Sequence, residues 1–187
     1  MTKLNYYRMT KKLFIGYCAL LILSFFLHAT KLANSIYNSS IPVLMFLFPI
    51  IVGYKVSVRF SIKDITIGLV VSLIILLPYY LLFGGNTREF SISYMVFVLL
   101  GISLPEEFFF RGFLQDSMGR TTKAVLFVSF LFAFAHLPKA IFFNEWTSLL
   151  SFFPSLVMGW LYMKTNNIIP GTFFHWLANM VYQSGMN

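Results

Sequence analysis

Two runs of this chain, residues 13–29 and 65–83, contain no Asp, Glu, Lys or Arg. Lipid accepts such segments only as helices or as strands of a closed barrel, because every backbone N–H and C=O must find its partner within the protein. Barrel strands alternate apolar and polar residues. These runs are apolar on all sides, so they are expected to be helices. The whole chain agrees: 58% of residues are hydrophobic and 11% charged, against about 25% charged in ordinary soluble domains. The fold class expected is all-α, a polytopic transmembrane bundle forming a single integral-membrane domain over residues 1–187.

The net charge of +8 does not point to nucleic acid. The basic residues sit between apolar runs and form no amphipathic basic face. The single cysteine, Cys18, lies inside the first apolar run, which excludes an internal disulfide and a cysteine-rich metal cluster. Residues 13–29 follow a basic start but lack a clear A-x-A cleavage site, so they are read as a retained first helix. About seven spans are expected, near 13–29, 41–58, 65–83, 91–118, 123–137, 147–163 and 167–184. Pro105 interrupts the fourth, and a helix break is expected there.

Cytoplasmic loops carry an excess of Lys and Arg. With the N-terminus inside, the inner segments hold Lys3, Arg8, Lys11, Lys12, Lys55, Arg59, Lys63, Arg120, Lys123 and Lys164. The outer loops hold Lys31, Arg88 and Lys139. That asymmetry predicts a multi-pass protein of the cell membrane with a cytoplasmic N-terminus.

Ionisable groups inside a membrane are costly and are functional-site hypotheses by default. Here they are Glu106, Glu107, Arg111, His136 and His175, with Asn179 as a polar companion. Glu106 and His136 each lie about 20 Å from the turn near residues 119–122, at the rise of an α-helix. His175 and Asn179 are four apart and share a face of the last helix. By the same rise they lie about 13 and 20 Å from the turn at Asn166. Side chains distant in sequence are therefore expected at one depth.

Each residue also has a plain structural reading. Ser103-x-x-Glu106 fits a capping box with Ser103 as N-cap. Glu107 and Arg111 have the spacing of an intrahelical ion pair. His136 precedes Leu137 and Pro138 and suits a helix end. His175 and Asn179 suit interhelical hydrogen bonding. Trp146, Trp160 and Tyr162 suit interface belts.

Three motifs stand in order at these positions: E-E-x-x-x-R at Glu106, Glu107 and Arg111, F-x-x-x-H at Phe132 and His136, and H-x-x-x-N at His175 and Asn179. In this the chain resembles the CAAX protease and bacteriocin-processing family, also called the Abi family, of glutamic intramembrane proteases. The likeness covers residues 100–183. It implies an intramembrane endopeptidase with Glu106 as general base, His136 as its partner, His175 and Asn179 as oxyanion site, and Glu107, Arg111 and Phe132 in support. The implied substrate is a membrane-associated peptide or protein, cut in its C-terminal tail or leader. Family range and chain size together suggest a bacterial setting.

No serine or cysteine is placed beside a base for a covalent route. Ser129 lies seven residues from His136, about two turns away, and Cys18 is on a distant helix, so direct attack by water is the expected chemistry with no cofactor. One rival is a zinc metalloprotease with Glu106, His136 and His175 as ligands, although no H-E-x-x-H helix is present. Others are a non-catalytic membrane peptide-binding or immunity protein, and a transporter with broken helices, for which no repeated half exists.

Overall fold

The computed structural model describes residues 3–30, 35–83 and 90–185. Among them all regular structure is helical: α1 (Lys3–Ala29), α2 (Ser35–Ile51), α3 (Ile62–Phe83), α4 (Ile92–Met118), α5 (Thr122–Ala135), α6 (Leu137–Phe143), a 3-10 turn (Trp146–Ser151), α7 (Phe152–Thr165) and α8 (Ile169–Gly185). The all-α bundle expected from the apolar runs is present. Four stretches are long and apolar enough to cross a membrane: Lys11–Ala29, Ile62–Leu82, Ile92–Met118 and Thr122–Phe143. Ser39–Ile51 is a shorter apolar helix. The remaining two expected spans are α7 and α8, of 14 and 17 residues. Both run short of the ~20 residues that a helix needs to cross the hydrocarbon core.

Local chemistry sets the helix ends. Thr121 caps α5, its side chain accepting from the Ala124 N–H. Asn144 and Asn166 adopt left-handed conformations after α6 and α7, a backbone region that Asn tolerates well. The second expected span, 41–58, stops at Ile51, where Gly53 turns the chain at φ 73°.

Pro105 does not open a gap. Ile92–Met118 is one continuous helical stretch, and the irregularity takes the form of two π-helical segments, Val98–Ser103 and Phe108–Gln115. The Leu104 N–H reaches back five residues to the Leu99 carbonyl. A proline costs an α-helix one hydrogen bond and crowds the carbonyl four residues back. The wider π turn just before Pro105 relieves that crowding without ending the helix, a device frequent at functional sites. Ser103 accordingly has helical dihedrals, φ −64° and ψ −43°, and makes no cap bond. The capping box is not formed.

α4 is the central helix. It packs against α2, α5, α7 and α8, while α1 lies on α2 and α6, and α3 lies chiefly on α8. Gly68 on α3 permits close approach, since a Cβ there would stand 2.6 Å from the Pro170 carbonyl oxygen. Phe109, Phe110, Phe113, Phe132 and Phe174 fill the centre, all essentially fully buried. α3 is peripheral, with only 11% of its span buried. Leu73, Ile74 and Leu82 face outward, as lipid contact requires.

Several basic residues gather at one end. The Lys12 ammonium donates to Val52 O. Tyr54 donates to Asp116 Oδ2 at 2.7 Å, and Arg59 to Thr165 O at 2.8 Å. These bonds bring segment 52–61, the turn with Arg120, and Lys164 together at one end of the bundle. Lys139 instead pairs with Glu145 at 2.6 Å. Lys31 and Arg88 lie outside the described residues. Tyr162, expected at an interface, is buried, whereas Trp146 and Trp160 are exposed.

Candidate active site

The short α-helical turn of α4 between its two π segments, Leu104–Glu107, presents Glu106 and Glu107 to the face of α8. Glu107 and Arg111 form the ion pair expected from their spacing, Oε2 to Nε 3.3 Å, both side chains fully buried. Arg111 also donates from Nη2 to Ser155 Oγ on α7 at 2.9 Å. A buried pair needs such added bonds to offset its desolvation. The guanidinium carbon lies 5.3 Å from the centre of the Phe132 ring.

His175 faces both glutamates. Its Nε2 is 3.5 Å from Glu106 Oε2 and its Nδ1 is 3.4 Å from Glu107 Oε1. These are ion-pair distances, longer than a well-aligned hydrogen bond. A neutral imidazole carries one N–H. Both contacts are therefore hydrogen-bonded at once only when the Glu106–His175–Glu107 unit holds one additional proton, on the ring or on a carboxyl. The two carboxylates differ in access: Glu106 keeps 15% of its side chain exposed and Glu107 none.

His136 stands at the C-cap of α5, where φ −88° and ψ −3° end the helix. Its Nδ1 lies 2.9 Å from the Phe132 carbonyl oxygen one turn back. A carbonyl only accepts, so Nδ1 carries the hydrogen, and in the neutral ring Nε2 is left with a lone pair. Glu106 and His175 are both near enough to act on His136 electrostatically. The ring closest to Glu106 is nevertheless that of His175, not the expected partner His136. Phe132 is the hub between them, its centroid 5.0 Å from His136, 5.6 Å from His175 and 4.9 Å from Phe110.

Asn179, one turn beyond His175 on α8, directs Nδ2 toward Ser103 Oγ at 3.4 Å, a long contact that leaves the amide hydrogens available. The three motifs thus meet, with α4, α5 and α8 each contributing. Sequence reasoning missed three supports. Ser155 holds Arg111, Ser103 meets Asn179 instead of capping a helix, and Gly171 lets α8 close on Glu107. Among the described residues, no three His, Cys, Asp or Glu side chains are arranged to hold a metal ion.

A cavity of about 640 Å³ lies elsewhere, between the start of α3 and the end of α7, and none of these side chains lines it. No curated protein and no solved structure matches the chain. Residues 88–181, half of the chain, match the family described as type II CAAX prenyl endopeptidase, Rce1-like. That stretch spans α4 to α8 and contains every residue of the three motifs. The chain therefore belongs to the Rce1-like family of type II CAAX prenyl endopeptidases, which are membrane proteases.

Proposed function

We propose that the protein is a glutamic-type intramembrane endopeptidase in which Glu106 and His136 activate water and His175 with Asn179 stabilises the oxyanion. The observation that carries this reading is the position of His175, within 3.5 Å of both Glu106 and Glu107. It joins the first and third motifs across two helices. Glu106 is assigned as base because it retains access, whereas Glu107 is sealed against Arg111.

The attacking water donates one hydrogen to the Glu106 carboxylate and the other to His136 Nε2. Its oxygen bonds to the scissile carbonyl carbon as Glu106 takes up the first proton. The carbonyl oxygen becomes an oxyanion that accepts from the Asn179 amide and from a ring N–H of His175. For this, His175 Nε2 turns from Glu106, which the long contact between them permits. Fixed donors of this kind are worth most where water is excluded. Collapse of the intermediate breaks the C–N bond, and the proton held by Glu106 passes to the leaving amine. The scheme uses no cofactor other than water.

The substrate class we propose is a membrane-associated protein or peptide, cleaved near a C-terminal tail or leader. The N-terminus is placed on the cytoplasmic side, where the gathered basic end faces the inner leaflet. The test is cleavage of membrane-anchored peptides by the purified protein in liposomes. Wild type should cut, and Glu106→Ala should insert and fold but yield no product. Full cleavage by Glu106→Ala would refute the assignment.

A further inference from the structure

We infer that the cavity between the start of α3 and the end of α7 binds the headgroup of an anionic glycerophospholipid. Its volume of about 640 Å³ is within the range of ordinary ligand sites. Three cations line it, Arg59, Lys63 and Lys164, against one acid, Asp64. Asp64 Oδ2 accepts from Asn167 Nδ2 at 2.9 Å, which fixes the carboxylate, and its single charge offsets only one of the three cations. Neither Lys63 nor Lys164 forms an ion pair among the described residues, and both are exposed. The site thus carries an uncompensated positive charge suited to a phosphodiester.

The walls are built rather than incidental. Asn167 is fully buried. It accepts from the Arg59 N–H at 3.0 Å and donates to Arg59 O at 2.7 Å. Arg59 Nη2 in turn donates to Thr165 O. These bonds clamp the loop before α3 to the turn before α8 and hold the rim in one shape.

A lipid, not a free anion, fits the surroundings. The cavity opens where the lipid-facing span of α3 begins, and Ile62 there is 86% exposed. Ile67 and Trp160 add apolar walls below the cations. Cations above an aromatic and apolar wall at the end of a span match the layering of headgroup over acyl chain. Basic pockets between transmembrane helices on the cytoplasmic side bind acidic lipid headgroups on the same grounds. The clamp stands about 12 Å along α8 from His175 at the helical rise, so the site is separate from the proposed catalytic groups.

The test uses the full chain in a neutral detergent, titrated with short-chain phosphatidylglycerol and, separately, phosphatidylcholine, followed by native mass spectrometry. Phosphatidylglycerol should bind preferentially. Lys63→Gln with Lys164→Gln should weaken it by about 10- to 30-fold, at roughly tenfold or less for each surface lysine lost. Lys63→Arg with Lys164→Arg should retain binding, and circular dichroism should show both variants folded. Equal binding of the two lipids, or undiminished phosphatidylglycerol binding by the Gln variant, would overturn the inference. So would displacement of phosphatidylglycerol by inorganic phosphate or an acidic peptide at matched concentration, since acyl chains would then contribute nothing.

Discussion

Gly171 of α8 rests directly on the Glu107 carboxylate: a Cβ at position 171 would stand 2.6 Å from Glu107 Oε2 and 3.5 Å from its carboxyl carbon. Gly171 lies in a regular helix, where Ala is intrinsically favoured by about 1 kcal/mol. The steric effect opposes this gain. Overpacking typically costs about 1–3 kcal/mol, and Glu107 cannot yield freely because Arg111 holds it. Gly171→Ala should therefore displace α8 from α4, separating His175 from both glutamates. Activity against a membrane-anchored peptide should fall sharply while helix content by circular dichroism stays unchanged. Wild-type turnover by this variant would show that the close approach has no bearing on the site.

Glu107 and Arg111 are expected to act through stability. Removing one member of a buried pair leaves the other charge uncompensated, at a cost of about 3–5 kcal/mol. Arg111→Leu alone should lower the thermal midpoint in detergent markedly. Glu107→Leu combined with Arg111→Leu should recover much of that loss, because no orphaned charge remains. A double variant no more stable than the single one would count against the pair as the source of the effect.

Asn179 and His136 should affect turnover more than substrate binding. The Asn179 amide is assigned to an oxyanion that exists only during reaction. Loss of one such donor typically reduces kcat about 100- to 1000-fold. Asn179→Ala should show a drop of that order with little change in KM. His136→Ala removes the lone pair that holds the water and should lower kcat about 100-fold or more. A rise in KM alone in either variant would reassign the residue to substrate binding. A strong chelator should leave wild-type activity unchanged, and inhibition reversed only by added zinc would favour the metal rival.

What could be read from the sequence depended on short-range spacing. The pairs Glu107/Arg111 and His175/Asn179 are four apart on single helices, so their shared faces followed from helical periodicity alone. That motifs on separate helices converge followed from counting residues to turns. The course of α4 through Pro105 did not. Proline marks a break in a generic helix, and only the π turns seen in the fold carry the chain past it. Ser155 and Gly171 matter through neighbours on other helices, and nothing local marks them. The closer approach of His175 than of His136 to Glu106 depends on how α8 is rotated against α4, which no pattern in α8 alone specifies.

Tyr54 closes the basic end of the bundle and should report on it by pH. Its hydroxyl donates to Asp116 Oδ2 at 2.7 Å, joining the loop after α2 to the end of α4. Burial is the main cause that pushes its pKa from 10.0 up to about 12. The folded state thus favours the protonated phenol. Its contribution to stability is complete below pH ~10, where the unfolded group is also protonated. It is lost as pH rises from about 10 to about 12, through the folded value. Tyr54→Phe should lower the thermal midpoint at neutral pH, with an expected cost of about 1–2 kcal/mol for a partly exposed bond to a charged acceptor. The gap between wild type and Tyr54→Phe should then narrow as pH passes from 10 to 12. Thermal unfolding at stepped pH measures this, and a gap that stays constant across the window would show that the folded state does not favour the protonated phenol.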